Sequence, residues 1–490
     1  MHRASLDRLA AKPADLLVIG GGITGAGIAR DAAMRGLRTV LVEQNDLGSG
    51  TSSRSSRLIH GGLRYLEQGD LRLVLEASRE RHTLLAIAPH LVHPLPFLFP
   101  VHRGDRVPLW KLFAAVWTYD LLALFRNVRW HRILGKRGVL RLEPMLRERG
   151  LIGGARYYDA QCDDARLVVA TARSAMAFGA HVANYVAVTA LESSGGTVRG
   201  AHLSDRLTGE EGLVRAAVVV NATGPWSDQL RRMEDSRARR LLRTTKGAHV
   251  LVSRKRLGNH HAVTMTSPLD GRVMFVLPWG EFSYIGTTDT DSAASPDEVS
   301  VSAEDVVYLL RSANAYFPNA HLVEEDVHAT WAGLRPLLNE GGGAGASAVP
   351  REHRIVRGPG GMLSIAGGKL TTYRVMAAET VDRVVEELRK LDGRGRPDRA
   401  PTDREPLPGG EARDLDQFRH TGLDLGLAPA TVEHLLRHYG TETAAIYNVG
   451  RKDRTMLAPL HPGHAAIEAE VPHVTRRELA QRVEDVLVRR

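Results

Sequence analysis

The chain has 490 residues, of which 43% are hydrophobic and 25% charged, so it is long enough for two or three folded domains. Its single cysteine, Cys162, excludes an internal disulfide and a thiolate metal cluster and is typical of a reducing compartment. The net charge of +9 suits an anionic substrate or an anionic membrane surface, but the basic residues are scattered and no nucleic-acid motif occurs, so we expect no nucleic-acid partner. We also expect neither a secretory signal in residues 1–12 nor a stretch apolar enough to span a bilayer.

Residues 15–43 predict a β-α-β unit that binds a dinucleotide. A short apolar run comes before Gly20, Gly22 and Gly25, which have the spacing of a dinucleotide turn. Gly20 permits the tight turn, Gly22 lets the backbone approach a pyrophosphate, and Gly25 allows close packing of the helix on the strand. Glu43 ends the second strand, where its carboxylate would accept a hydrogen bond from a ribose hydroxyl. The turn by itself does not separate FAD from NAD.

Three later segments favour FAD. Residues 50–56 form a loop rich in hydroxyl groups that would line a pyrophosphate and a flavin. Residues 221–224 follow a further predicted strand, as in flavoproteins with two dinucleotide-binding motifs. Residues 367–372 follow a strand and open a helix, whose backbone N–H groups would stabilise a reduced flavin. The residues predicted to contact FAD are Gly20, Gly22, Gly25, Glu43, Thr51, Ser52, Ser53, Gly61, Gly62, Thr223, Gly224, Gly368, Leu370 and Thr371.

The other elements predict a mixed architecture. Two helices are predicted first, at 72–90 and 108–126, and prolines break the residues between them into extended pieces. Antiparallel strands follow near 250–252, 273–277 and 282–286. Helices 302–316 and 371–388 and a helical region beyond 412 complete the chain. We predict an α/β fold: a Rossmann-like FAD-binding domain (14–80, 155–232 and 338–388), an antiparallel-sheet substrate domain (81–154 and 233–337), a linker (389–412) and a C-terminal helical cap domain (413–490).

Several long motifs run through the chain. They are residues 50–67 (GTSSRSSRLIHGGLRYLE), 157–167 (YYDAQCDDARL), 221–226 (NATGPW), 246–249 (KGAH), 285–289 (IGTTD), 333–337 (GLRPL), 351–353 (REH) and 367–374 (GGKLTTYR). Together they resemble the FAD-dependent glycerol-3-phosphate dehydrogenases of the aerobic, respiratory type, from about residue 14 to the last helix. The resemblance implies that sn-glycerol 3-phosphate is oxidised to dihydroxyacetone phosphate by hydride transfer to non-covalent FAD, and that electrons pass to a respiratory quinone.

The resemblance also implies roles for individual side chains. These are His249, Arg335 and Lys369 as catalytic residues, and Arg64, Tyr65 and Arg351 as substrate-binding residues. Arginine suits a phosphate because its planar guanidinium donates two hydrogen bonds at once. His249 is the candidate base because imidazole titrates near neutral pH and neighbouring cations favour its neutral form. How the cations divide the phosphate contacts is left open, and no metal site is predicted.

Residues 108–126 combine tryptophans with flanking basic residues, a pattern that fits an interfacial helix on a membrane or a helix buried between domains. The resemblance implies a cytoplasmic protein on the cytoplasmic face of the cell membrane, with a membrane quinone as partner. The C-terminal helices are expected to cap the substrate domain or to form a homodimer. Three alternatives stay open: a glycerol-3-phosphate oxidase that uses O2, an amine or amino-acid oxidase of the same flavin fold, and a flavin-bearing assembly protein without turnover.

Overall fold

A computed structural model describes residues 2–63, 70–122, 128–339, 352–393 and 399–490. The strands are β1 (Ala14–Ile19), β2 (Thr39–Val42), β3 (Leu58–Ile59), β4 (Val92–His102), β5 (Arg132–Gly135), β6 (Leu151–Cys162), β7 (His181–Ala183), β8 (Val186–Ser194), β9 (Thr197–Asp205), β10 (Glu211–Asn221), β11 (Leu242–Ser253), β12 (Ala262–Thr266), β13 (Val273–Trp279), β14 (Phe282–Gly286), β15 (Thr290–Asp291), β16 (Val327–Leu338), β17 (His353–Arg357) and β18 (Leu363–Gly367).

The helices are α1 (Leu6–Ala10), α2 (Ile23–Met34), α3 (Leu71–Ile87), α4 (Leu109–Leu122), α5 (Lys136–Leu142), α6 (Asp164–Ala177), α7 (Ser227–Glu234), α8 (Arg254–Leu257), α9 (Ala303–Tyr316), α10 (Tyr373–Asp392), α11 (Asp416–Asp424), α12 (Pro429–Tyr439), α13 (Thr443–Lys452), α14 (Glu470–Arg477) and α15 (Val483–Arg489). Within the described ranges, no helix has both the length and the apolar character needed to cross a bilayer.

The first sheet is parallel at its centre. Strand β1 lies between β2 and β10, and β7 and β18 extend the sheet in parallel on either side. Strands β17 and β9 add antiparallel pairs to β18 and β10, and β8 pairs with β9. Helix α2 packs against α6 and α10 over a core of small and branched apolar side chains. Parallel strands buried on both faces read as continuous apolar runs, which is why β1 and β10 were recognisable in the sequence.

The second sheet is almost entirely antiparallel. Its strand order is β15-β11-β14-β13-β12-β4-β6-β3, with β16 paired to the other side of β11 and β5 paired to β6. Strands β11 and β16 pair over nearly their whole lengths, so His249 lies opposite Trp331 and Thr245 lies opposite Arg335. Helix α9 packs on this sheet and shares its core.

Strand β4 corrects the prediction that prolines break this region into separate pieces. It is one continuous strand through Pro94, Pro96 and Pro100. These prolines are two or four residues apart, so their backbone nitrogens, which carry no hydrogen, all point to the same side of the strand and to the same neighbouring strand. That neighbour, β12, pairs with β4 only at Phe97 and Leu98, and the other side forms the full antiparallel ladder with β6.

The helices from α11 onward form a separate core around Leu435, Ile446 and Val474. Ion pairs attach this helical region to the dinucleotide-binding part, among them Arg166–Glu478 and Arg173–Glu442. The predicted fold class is therefore confirmed: a mixed α/β fold with large sheets and a helical C-terminal domain. The predicted domain boundaries stay a prediction.

Candidate active site

The dinucleotide turn joins β1 to α2 and requires glycine for steric reasons. Gly20 has φ +111°, and a Cβ atom there would lie 2.6 Å from the carbonyl oxygen of Ala222. A Cβ on Gly25 would overlap the carbonyl oxygen of Gly20. Gly22 is the N-cap of α2, and the backbone N–H groups at the N-terminus of a helix attract anions. The turn therefore has the tight backbone packing that was predicted for a dinucleotide turn.

Glu43 lies beside this turn at the end of β2. Its Oε2 atom accepts a hydrogen bond from the Gly21 N–H group at 2.6 Å, and its Oε1 atom accepts one from Asn45 at 2.9 Å. Burial raises the pKa of this carboxyl group, although the two backbone donors favour its ionised form. Glu43 lines a cavity of about 220 Å³, here called the smaller cavity, together with Gly20 and Gly22. The carboxylate thus lies beside the glycine turn and lines the same cavity, and its contact with a ribose hydroxyl stays a prediction.

The hydroxyl-rich loop connects the turn to the second sheet. Ser52 accepts a hydrogen bond from the Ile23 N–H group at 3.0 Å, and Thr51 donates one to the Leu334 carbonyl oxygen at 2.6 Å. Both side chains line the smaller cavity and also a larger one of about 300 Å³. Ser53 completes the 3₁₀ turn that begins at Thr51, but it lines neither cavity. Because the two cavities share several lining residues, they form one continuous groove.

Of the two predicted FAD contacts Gly61 and Gly62, only Gly62 lines a cavity. The Gly61 N–H group donates to the Tyr119 hydroxyl at 2.9 Å and to the Asp159 carboxylate at 3.2 Å, and a Cβ on Gly61 would overlap that hydroxyl. Gly62 has φ +77° and lines the larger cavity. Of the predicted substrate-binding residues, Arg64, Tyr65 and Arg351 lie outside the described residues.

Two further turns complete the groove. Thr223 donates its hydroxyl to the Asn221 side chain at 2.7 Å, and Thr223 and Gly224 both line the smaller cavity. Gly368, with φ +84°, and Leu370 line both cavities, at the start of the 3₁₀ turn that leads into α10. Thr371 lines the larger cavity, and its hydroxyl accepts a hydrogen bond from the His60 N–H group at 3.2 Å.

His249, on β11, is 2% exposed and lines the larger cavity. Its ring stacks on Trp331 at 4.9 Å, and its Nε2 atom is hydrogen-bonded with the Ser56 hydroxyl at 2.9 Å. Among the described residues, the buried Nδ1 atom has no hydrogen-bond partner. Burial, followed by the charges of Arg335 and Arg57, lowers the pKa of His249 to about 3. The imidazole is therefore neutral at physiological pH.

Arg335 lies on β16 and is held on one side by the loop after β14. Its guanidinium donates to Asp289 at 3.0 Å and to the Thr287 hydroxyl at 3.0 Å. Asp289 is also paired with Arg272 at 2.9 Å. Burial opposes the ionisation of Asp289, but the neighbouring arginines outweigh it and lower the pKa of its carboxyl group. Lys369 lines both cavities, and Arg335 lines the larger one. The structure therefore brings the three predicted catalytic residues to one groove.

Sequence reasoning missed the residues that hold these side chains. Ser56 bonds to His249, and Arg57 stacks on Trp279 at 4.3 Å while it pairs with the buried Asp164 at 3.7 Å. Ser56 and Arg57 lie within the longest motif, so the motif was a signal for their importance. Their partners are distant in sequence and could not be assigned without the strand pairing.

Helix α4 has two contrasting faces. Leu112 and Ala115 line the larger cavity, and Tyr119 contacts the Gly61 backbone. On the other side, Trp110 is 72% exposed and Trp117 is 43% exposed. The helix is therefore packed against the site on one face and presents aromatic side chains to solvent on the other.

Comparison with known proteins identifies the family. Residues 15–374 match the family model described as FAD dependent oxidoreductase, and residues 400–490 match that of the C-terminal domain of alpha-glycerophosphate oxidase. Glycerol-3-phosphate dehydrogenase 2 of Mycobacterium tuberculosis is 40% identical over 489 residues, which cover 99% of this chain and 81% of that protein. The chain belongs to the FAD-dependent glycerol-3-phosphate dehydrogenase family.

Two further glycerol-3-phosphate dehydrogenases are similar to this chain over nearly its whole length. The aerobic glycerol-3-phosphate dehydrogenase of Staphylococcus haemolyticus is 35% identical over 486 residues, 97% of this chain and 86% of that protein. A similar crystal structure is that of the glycerol-3-phosphate dehydrogenase from Bacillus halodurans complexed with FAD. Its sequence is 34% identical to this chain, the TM-score of the two structures is 0.81, and the match covers 99% of this chain and 87% of that chain. The predicted family and the predicted cofactor, FAD, are confirmed, and the glycine turn suits that cofactor because Gly20 and Gly22 line the smaller cavity with backbone alone.

Proposed function

We propose that the protein oxidises sn-glycerol 3-phosphate to dihydroxyacetone phosphate, using FAD, and passes the electrons to a membrane quinone. The observation that carries this proposal is the convergence of Arg335, Lys369 and His249 on one cavity that continues into the dinucleotide groove. When bound, FAD supplies the hydride acceptor. The chain's own residues must then bind a phosphate, accept a proton and limit the access of water.

Arg335 and Lys369 are suited to bind the phosphate. The contacts of Arg335 to Asp289 and to the Thr287–Thr288 segment fix the plane of its guanidinium. A fixed guanidinium loses little conformational entropy when it binds a phosphate with two parallel hydrogen bonds. Lys369 adds a second positive charge on the other wall, as a compact ammonium group. We propose that Arg64 and Arg351 complete this set of cations, and that Tyr65 adds a hydroxyl donor.

His249 is suited to accept the proton of the C2 hydroxyl group. If Nε2 carries the ring proton and donates it to Ser56, Nδ1 carries the lone pair that would accept the proton. Nδ1 is shielded from solvent in this structure, so its contact with a substrate hydroxyl requires a movement of the ring or of its neighbours. With a pKa of about 3 the free imidazole is a weak base. A phosphate dianion bound at Arg335 would neutralise one of the charges that lower this pKa. Substrate binding would therefore move His249 towards the basicity that proton transfer requires.

The walls of the larger cavity favour a small substrate and restrict water. Phe97, Phe99 and Phe275 line it, with Tyr157 beside them. An apolar surrounding strengthens the electrostatic interactions of the few charged groups within it. An amine or amino-acid oxidase of the same fold would not need several cations around a phosphate, so this composition favours a phosphorylated alcohol.

The exposed aromatic face of α4 supports a position on a membrane. Trp110 and Trp117 are joined there by Trp130, which is 55% exposed. Lys111 and Arg129 lie beside them in the sequence. Tryptophans flanked by basic residues bind the interface of an anionic membrane, where a quinone is accessible. We propose that this face rests on the cytoplasmic face of the cell membrane. The homodimer stays a prediction.

The experiment is anaerobic reduction of the purified holoenzyme. Addition of glycerol 3-phosphate should bleach the flavin absorption band, whereas glycine, proline and unphosphorylated glycerol should not. An unchanged spectrum with FAD bound would overturn the substrate assignment. The acceptor is tested separately, by turnover with a quinone analogue against the yield of hydrogen peroxide in air. Peroxide formed at a rate equal to substrate oxidation would make the protein an oxidase instead.

A further inference from the structure

A buried carboxylate lies in the loop that follows β2, close to the predicted cofactor-binding residue Glu43. Asp46 follows Glu43 in this loop, and its side chain is 0% exposed. The loop is tied to the dinucleotide turn at two points: Glu43 accepts from the Gly21 N–H group, and the Gly48 N–H group donates to the Gly21 carbonyl oxygen at 3.0 Å. Any displacement of Asp46 would therefore move Glu43 and the turn.

The partners of Asp46 come largely from the other end of the chain. Arg489 donates to its Oδ2 atom at 2.6 Å, and Arg490 donates to Oδ2 at 2.8 Å and to Oδ1 at 2.7 Å. Asn184 donates to Oδ1 at 3.0 Å. Burial opposes the ionisation of Asp46, but the bonds to Arg490 and Arg489 outweigh it and lower the pKa of the carboxyl group.

The two arginines are themselves fixed. Arg489 pairs with the buried Asp485 at 2.9 Å, and the Arg490 Nε atom donates to the Glu478 carbonyl oxygen at 3.0 Å. Asp485 in turn accepts from the Tyr185 hydroxyl at 2.5 Å. The backbone N–H group of Tyr185 donates to the Asn45 carbonyl oxygen at 2.9 Å, so this network returns to the same loop.

We infer that Arg489 and Arg490 are positioning residues for FAD: through Asp46 they hold the loop of Glu43 in the conformation that binds the cofactor. This inference rests on FAD occupying the dinucleotide turn, as proposed above. A buried carboxylate that loses its partners must either move towards water or become protonated. Either change releases the loop, and the helical C-terminal region thereby contributes to cofactor retention without touching the cofactor.

The experiment is a titration of the apoprotein with FAD, followed by flavin fluorescence, for wild type and Arg489→Ala/Arg490→Ala. We expect the dissociation constant for FAD to rise about tenfold or more, by analogy with the loss caused when a group that orients a metal ligand is removed. At saturating FAD, kcat and the KM for glycerol 3-phosphate should equal those of the wild type. The matched control is Arg476→Ala/Arg477→Ala, which removes the same charge from exposed positions at the end of α14.

Two further variants keep the inference falsifiable if the double alanine variant does not fold. Arg490→Lys retains the charge but loses the paired contact, and should weaken FAD binding by an intermediate amount. Glu43→Gln tests the placement of FAD itself. Weaker FAD binding in Glu43→Gln but unchanged binding in the arginine variants would overturn the inference and leave the proposed function intact. Equal weakening in the Arg476/Arg477 control would also overturn it.

Discussion

The two ends of the groove are built on different principles. At the dinucleotide turn, the backbone forms the site: Gly20 and Gly25 are needed because a Cβ atom has no space, and helix α2 presents its N–H groups. At the larger cavity, side chains form the site, and neighbouring groups orient them, as Asp289 orients Arg335. A backbone site should therefore fail completely when one atom is added, whereas a side-chain site should lose activity in steps and keep its cofactor.

The largest effect is expected at the backbone end. Gly25→Ala would place a Cβ atom against the carbonyl oxygen of Gly20 and separate α2 from β1. We expect a protein without bound FAD, measured by the flavin absorbance of the purified sample. Gly135→Ala is the matched control, since Gly135 has φ −73° and free space where the alanine Cβ atom would lie. Full FAD content in Gly25→Ala would refute the steric argument.

At the side-chain end, His249→Asn should lower kcat about 10²–10⁴-fold, the range typical for loss of a general base. FAD content should not change, because His249 contacts Ser56 and Trp331 and not the turn. Steady-state kinetics and flavin absorbance check both expectations. His328→Asn, at an exposed position on the same strand pair, serves as the control. A kcat close to that of wild type would exclude His249 as the base.

Arg335→Ala should lower kcat/KM about 10²–10³-fold, because one charged donor to the phosphate is lost. FAD content should again equal that of the wild type. The measurement is kcat/KM for glycerol 3-phosphate beside flavin content, and Arg311→Ala, at an exposed position of α9, is the control. A parallel loss of FAD and activity would mean that Arg335 belongs to the cofactor end, and the contrast between the two ends would break down.

Acid stability provides a smaller effect. The pKa of His249 is about 3 in the folded protein and about 6.5 when unfolded, so the unfolded state binds more protons below pH 6.5. The folded state is therefore destabilised as the pH falls from 6.5 towards 3. Between pH 7.5 and pH 5, we expect the free energy of unfolding of the wild type to fall by about 2 kcal/mol more than that of His249→Asn. Urea unfolding at both pH values checks this, and equal losses would contradict it.

The smallest effect is expected on the outer face of α4. Burial of a large apolar side chain contributes about 1.5–3 kcal/mol, and at the lower end of this range Trp110→Ser should weaken binding to anionic phospholipid vesicles about tenfold. Turnover with a water-soluble dye should not change, since Trp110 points away from the cavity-lining side of the helix. Phe178→Ser, at the exposed position that follows α6, is the control for vesicle co-sedimentation. Unchanged co-sedimentation would remove the support for a membrane position.

The sequence predicted best where local rules decide the structure. The predicted start of helix α9 lies within one residue of the observed start, which a capping box between Ser302 and Asp305 fixes. The glycine turn was predicted from spacing alone, because steric demands act over a few residues. The pairing of His249 with Ser56 and of Arg335 with Asp289 was not predicted, because strand register brings these residues together across long separations. The prediction for the prolines of β4 was wrong, because a proline interrupts a strand only where its neighbour needs the N–H group that proline lacks.

The long ladder between β11 and β16 limits how this site can change. His249 and Arg335 lie on its two strands, and a shift of either strand by one residue would turn its side chain to the opposite face of the sheet. Insertions or deletions that change the register at His249 or Arg335 would therefore remove that side chain from the cavity. Replacement of side chains on an unaltered pair of strands is therefore the simplest route to a new substrate preference, whether by natural drift or by directed evolution.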